Sequence, residues 1–401
     1  METLTTGVVV VGLGAFGSGA LWRLAARGVD VVGIERQGIG HPLGSSHGAT
    51  RLFRIACQEH PGLAPIAMRS LSLWTELGEQ TGETLVRQTG CLNSGAPDSR
   101  PVVGTREAAA AAGAPIENLG HGELVARQPN YGALGADDVA VWDPGAGICY
   151  PERNVRAQTA AAQRLGATVY AHTMVMSIDV DDEGVTVTTP TVAFRAQQVV
   201  VAAGAWLGTM VPGLPLTPRR MPLYWFEPAD AGSEEYRLDR FPAFIRQLPG
   251  GRTLWGHGSD EDYGIKIGME DTGSNFTDTD PDDVDRYVHS DGDTLELSAL
   301  VAEAFPGIRP RPSKVIPCMI TNSPDRQFVV GRPNGSPRLV VAGGDSGHGF
   351  KHAAGVGELL AQVVVGEQPY CDTGFVDPDR FAAGAEVSGS SGLTPTSGAA
   401  G

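Results

Sequence analysis

The turn Gly12-Leu13-Gly14-Ala15-Phe16-Gly17 has the GxGxxG spacing of residues that hold a dinucleotide. Its chemistry is anion binding by backbone. Gly12 permits a tight turn, Gly14 lets the main chain approach a pyrophosphate, Gly17 lets a helix meet a strand, and the amino end of that helix faces the anion. Glu35, eighteen residues beyond Gly17, is placed to accept from a ribose hydroxyl. Its charge favours FAD or NAD over NADP, whose 2′-phosphate it repels. The loop 36–49, RQGIGHPLGSSHGA, brings Arg36, Ser45, Ser46 and His47, with Thr50 just beyond, as groups able to hydrogen-bond a cofactor. Arg51 and Arg54 are three apart, a spacing that sets two guanidinium groups on one side of a helical turn; the plainer reading is the start of a solvated surface helix. A second glycine-rich turn, GGDSGHG from Gly343 to Gly349, precedes a helix containing Lys351. Within it Gly344, Ser346, Gly347, His348 and Gly349 offer backbone N–H groups to an anion or an electron-rich ring edge.

The elements that must position these groups follow from periodicity. Val8 to Val11 is an unbroken β-branched run, the pattern of a parallel strand covered on both faces. Ala20, Leu21, Leu24 and Ala25 fall at helical spacing, Gly28 suits the helix end, and 29–34 reads as a second strand. Residues 62–79 are helical; 90–143 reads as strands and a short helix; 154–165 is a helix leading to a strand from 168. Residues 174–180 and 184–189 form a hairpin around Asp181-Asp182-Glu183, with Val175 at its head as a cofactor contact. The strand 198–204 ends in Ala202, Ala203 and Gly204, small enough for close approach to a ligand. Residues 215–317 are richer in aromatics, prolines and acids, with alternating patterns that predict a mainly antiparallel sheet inserted into the nucleotide unit. The expected class is α/β, a Rossmann-type domain from 1–90, 141–215 and 318–381, and a substrate domain from 91–140 and 216–317. The acids DPDDVD at 280–285 lack the DxDxDG spacing of a calcium loop and read as a solvated helix start. Residues 382–401 read as a disordered tail.

Composition narrows the function. Of 401 residues, 41% are hydrophobic and 54 are glycine, as in a glycine-rich α/β enzyme. The net charge of −16 disfavours nucleic acid or an anionic membrane as partner. Five widely spaced cysteines without a CxxC pair indicate neither a disulfide framework nor a zinc site, and the expected compartment is a reducing cytosol. No metal is expected, and no apolar stretch is long enough to predict a membrane span.

Three further stretches, GSSHGATRLFR (44–54), CMITNSPDRQFVVG (318–331) and GDSGHGFKHAAGVGE (344–358), together with the amino-terminal turn, resemble the monomeric sarcosine oxidase and N-methyltryptophan oxidase family of FAD-dependent amine oxidases. The similarity runs from Val8 to about Asp377. It implies FAD joined to Cys318 through a thioether, where the residues alone allow only a small buried thiol. It implies that Arg54 and Lys351 hold the substrate carboxylate, that Arg51 and His47 lie beside the flavin, and that Lys266 carries the charge at the oxygen-reducing face. The plainer reading of Lys266 is an exposed strand residue, which the flanking Gly264 and Gly268 weaken without removing. Three positions depart from the family: Trp255 replaces a tyrosine, Glu270 a histidine and Ser46 a histidine. Trp255 and Glu270 are therefore expected to reshape the amine pocket. The resemblance implies a cytoplasmic monomer that oxidises a secondary α-amino acid with O2. A flavin dehydrogenase feeding a quinone or partner protein, and a nucleotide-binding sensor without turnover, are the alternatives.

Overall fold

The computed structural model describes residues 2–260, 263–273 and 275–382. The valine run lies at the centre of an eight-stranded sheet. Strand Glu2–Val11 pairs in parallel with Val31–Ile34 on one side and Val192–Val201 on the other, and Val192–Val201 pairs in parallel with Leu339–Gly343. Val8 and Val10 face helices Ala15–Ala25, Leu63–Thr81, Pro151–Arg164 and Ala353–Val365, whereas Val9 and Val11 join a second core with Val185, Val187, Phe194 and Leu207. Both faces are covered, so the run has no polar alternation. Each buried valine contributes about 1.5–3 kcal/mol.

Two glycines set the geometry of the first turn. Gly12 has φ +85°, a region that side-chain-bearing residues avoid. A Cβ on Gly17 falls 1.8 Å from the Gly12 carbonyl oxygen, so helix Ala15–Ala25 approaches the strand only without one.

The second layer is a nine-stranded sheet in the order Thr277–Asp278, Thr217–Phe226, Ile265–Met269, Thr253–His257, Ala243–Gln247, Cys91–Gly95, Val139–Asp143 and Glu117–Leu119, with Lys314–Asn322 also on Thr217–Phe226. Its pairings are antiparallel apart from Ala243–Gln247 against Cys91–Gly95. Tyr131, Phe241, Phe244 and Phe305 pack edge to face beneath it.

Several expectations are corrected. Arg51–Phe53 is a strand, paired with Gly147–Cys149, so Arg51 and Arg54 do not share a helical turn. Residues 280–285 start no helix: the helix is Ser290–Ala304, and Asp282 instead bonds Arg36 and Trp206 across the molecule. Lys351 sits in the short 3-10 turn Phe350–His352 ahead of helix Ala353–Val365. Cys318 lies inside strand Lys314–Asn322, which is hydrogen-bonded into the larger sheet, so a boundary at 318 cuts through a strand. The region 90–143 holds the strands Cys91–Gly95, Glu117–Leu119 and Val139–Asp143, with two helices, Arg100–Ala112 and His121–Arg127, where one short helix is expected. Apart from Ala382, the tail at 382–401 lies outside the described residues.

Candidate active site

A cavity of about 1070 Å³ runs between the two sheets, from the glycine turn to the loop after Arg54. Gly12, Gly14, Phe16, Glu35, Arg36, Ser45, Ser46, Val175, Ala203 and Gly204 line one end. Glu35 Oε2 accepts from the Leu13 N–H at 2.9 Å and Oε1 from the Gln37 N–H at 2.9 Å. Burial opposes its ionisation, but His41 and these two N–H groups outweigh it and hold the carboxyl below its usual range. Ser46 Oγ accepts from the Ala15 N–H at 2.9 Å and so ties the loop to the helix start. At the mouth, Arg36 pairs with Asp282 at 2.6 Å.

The middle of the cavity is bounded by Arg51, Cys318, Ser346, Gly347, His348 and Gly349. Arg51 donates to the carbonyls of Thr50 at 2.9 Å and Ser45 at 3.1 Å, and its Nη2 is 4.0 Å from Cys318 Sγ. Burial pushes the Cys318 thiol up, and the Arg51 charge partly offsets it.

The far end holds the densest charge. Arg54 is 5% exposed and donates to Glu59 Oε1 at 2.5 Å, while its Nε and Nη1 have no partner. Lys351 Nζ donates to the His348 carbonyl at 3.0 Å and lies 3.5 Å from the same Glu59 oxygen. The other Glu59 oxygen is unpaired. Two cations share one carboxylate at short range in this buried corner, with two guanidinium nitrogens unspent. Trp255 lines the wall and donates from Nε1 to the Met269 carbonyl at 3.1 Å. Glu270 meets Arg100 at 3.4 Å at the rim, where both are about half exposed.

Gly17, His47, Thr50, Gly344 and Lys266 are not among the residues that line the cavity. His47 is buried, its Nε2 without a partner; burial, with Arg51 and Lys266 nearby, lowers it to about 3, so the ring is neutral. Lys266 Nζ donates to the carbonyls of Gly48 at 2.7 Å and Thr50 at 2.6 Å. Glu59, Arg100, Glu152 and His257 had no local signal. The lysines had one: the chain contains only three, Lys266, Lys314 and Lys351, and two of them are buried.

The cradle fits FAD. Gly12 and Gly17 admit no side chain, the Glu35 carboxyl beside them is held below its usual range, and the cavity continues past Cys318 to the Arg54 and Lys351 corner. The sequence agrees: residues 7–363 match the FAD dependent oxidoreductase family, and the chain belongs to it. It is therefore an FAD-dependent oxidoreductase. Among its relatives, the monomeric sarcosine oxidase of Streptomyces avermitilis is 33% identical over 94% of this chain and 98% of that one. The N-methyl-L-tryptophan oxidase of Citrobacter koseri is 28% identical over 93% and 98%. NikD, described as an unusual amino acid oxidase essential for nikkomycin biosynthesis, shares the fold with a TM-score of 0.79 at 23% identity, covering 94% of this chain and 98% of that one. Among the described residues no helix is long and apolar enough to cross a membrane, and no group of three or more His, Cys, Asp or Glu side chains is placed to hold a metal ion.

Proposed function

We propose that the protein is an oxidase of a secondary α-amino acid, N-methylated or cyclic, which yields an imine and then, by hydrolysis, an amino acid and an aldehyde. One observation carries this reading: Arg54 and Lys351 converge on a single carboxylate in a buried corner and leave two guanidinium nitrogens unspent. The substrate carboxylate takes those nitrogens and the Lys351 ammonium, which fixes the neighbouring C–N bond. When bound, FAD accepts the two electrons and proton of a hydride equivalent and passes electrons to O2, which leaves as hydrogen peroxide. Arg51 stands beside the ring, Trp255 and Glu270 shape the amine side, and Lys266 supplies positive charge where O2 becomes anionic. Cys318 is the residue for a thioether to the flavin. The five free cysteines fit a reducing cytoplasm, and the enzyme is read as a monomer. That Lys266 is buried and does not line the cavity favours one alternative, a dehydrogenase that feeds a quinone or partner protein.

Acid precipitation of the purified protein, followed by peroxide detection with sarcosine, N-methyltryptophan and cyclic imino acids, tests the reading. Yellow colour in the pellet and peroxide with at least one substrate are expected. Colour released to the supernatant removes the thioether; reduction of the flavin without O2 consumption points to the dehydrogenase; a colourless protein that takes up no FAD overturns the whole reading.

A further inference from the structure

Lys266 is tethered by a loop whose shape is itself held from outside. Its two bonds go to the carbonyls of Gly48 and Thr50, which point at one nitrogen because Gly48 (φ +96°) and Ala49 (φ +68°) are both left-handed. Ala49 is not glycine, so this backbone is strained and needs support. Arg51, which donates to the Thr50 carbonyl at 2.9 Å, and two further side chains supply it. Glu152, in the first turn of helix Pro151–Arg164, accepts the N–H groups of Gly48 at 2.8 Å and Ala49 at 3.2 Å on Oε1. His257 meets the Thr50 hydroxyl at 2.7 Å through Nε2.

The direction of that second bond follows from the ring. His257 Nδ1 is 2.6 Å from the Gly258 carbonyl, which only accepts, so Nδ1 carries the proton. Burial lowers the ring to about 4 and it is neutral, so Nε2 accepts and the Thr50 hydroxyl donates. His257 is also the cross-strand partner of Lys266. Thr50 thus bridges a neighbouring pair: its hydroxyl is held by one and its carbonyl holds the other.

We propose that His257 is a positioning residue for Lys266, acting through Thr50: it fixes the Thr50 carbonyl, and with it the site and charge state of the Lys266 nitrogen. This rests on the reading of Lys266 as the charge at the oxygen-reducing face. The other groups around that nitrogen are Arg51, His47, Cys149, Cys318, Glu152 and the Trp225 ring, whose centroid is 5.1 Å away. None of them bonds the Thr50 side chain. Freed of His257, that hydroxyl has no buried acceptor, and the loop relaxes toward less strained dihedrals.

Three lysines make the test direct, because holoenzyme labelled with 15N at lysine Nζ gives one signal for each of Lys266, Lys314 and Lys351, and Lys266→Met assigns the one in question. His257→Leu is expected to move the Lys266 signal and its titration midpoint while Lys314 and Lys351 stay, and to slow reoxidation by O2 about tenfold with anaerobic reduction by substrate within twofold. His257→Gln, whose amide oxygen can accept from Thr50, restores most of both. Thr50→Val, which keeps the carbonyl and removes only the donor, reproduces His257→Leu and serves if the leucine variant does not fold. An unmoved Lys266 signal in the leucine and valine variants overturns the proposal, as does a glutamine variant no better than leucine. If Lys266→Met reoxidises at the wild-type rate, the oxygen-face reading fails on its own, and the shift in the Lys266 signal still decides the positioning claim.

Discussion

Two buried lysines flank the cavity, and their charges are handled in opposite ways. Lys351 shares Glu59 with Arg54, so its corner contains opposed charges at short range. Lys266 has two carbonyls for partners and Arg51 for a neighbour; burial first and the Arg51 charge second hold its ammonium well below the usual lysine range. A buried charge with a counterion persists and attracts a further anion when the count is uneven, whereas one whose bonded partners are carbonyl dipoles is held less firmly in its charged form. The first arrangement suits standing recognition of a carboxylate. The second suits a group whose charge matters when a negative partner forms beside it.

The largest break in this comparison is expected from Arg54→Met. It removes the fork that the substrate carboxylate needs and leaves Glu59 with Lys351 alone. Steady-state kcat/KM for an N-methyl amino acid is expected to fall about a thousandfold, about 4 kcal/mol, with flavin content unchanged. Arg54→Lys should recover little of it, since a point charge cannot replace the bidentate fork. Recovery to near wild type would show that charge alone carries recognition and that the corner resembles the Lys266 side after all.

Glu59→Gln sharpens the same contrast. Without its carboxylate, the corner keeps two cations with no counterion, and denaturant unfolding is expected to show a loss of about 3 kcal/mol. Binding of a substrate-like carboxylate is expected to strengthen in the same variant and to return part of that stability. Arg54 donates to Glu59 from within the wall, so a destabilised protein with unchanged carboxylate affinity would assign Glu59 a purely structural part.

A pH experiment separates the middle of the cavity from both ends. Burial raises the Asp345 carboxyl from 3.8 to about 6, although it accepts N–H groups from Gly347 at 2.9 Å and Thr321 at 3.3 Å. Below pH 3.8 the folded and unfolded states both hold the proton; between 3.8 and 6 only the folded state does, so stability falls as pH rises through this window and levels off above it. The loss is about 3 kcal/mol. Asp345→Asn should remove that slope, read as the difference in unfolding free energy between pH 4 and pH 7. An unchanged slope assigns the pH dependence to other groups.

What the sequence revealed depended on range. The dinucleotide unit was legible because its signals are local: a valine run, three glycines and an acid within one βαβ stretch, each recovered in place. The Arg51–Arg54 spacing misled because three-residue separation has a helical meaning only on a helix, and Arg51–Phe53 is a strand zipped to Gly147–Cys149. Glu59 lay five residues from its partner in an aperiodic loop, and the Lys266 cradle joins groups 216 and 218 apart. No periodicity reaches that far; the family resemblance singled out Lys266, and its carbonyl partners became visible only in the fold.

The smallest effect belongs to the rim. Arg100 and Glu270 form a single contact of 3.4 Å with both side chains about half exposed, so the pair contributes little to stability, about 0–1 kcal/mol. Its consequence lies in selection. Trp255 lines the wall with a ring pinned to the Met269 carbonyl, and on the proposed reading Glu270 supplies the charge that a substrate's distal end meets as it enters. Glu270→Gln leaves Arg100 unopposed, so anionic arms are favoured and cationic arms disfavoured relative to wild type. With sarcosine, N-methylaspartate and N-methyllysine as a panel, kcat/KM is expected to shift a fewfold in opposite directions for the two charged substrates and to stay level for sarcosine. Equal shifts for all three would place Glu270 outside the path of the substrate arm and leave Trp255 to set the shape of the pocket by itself.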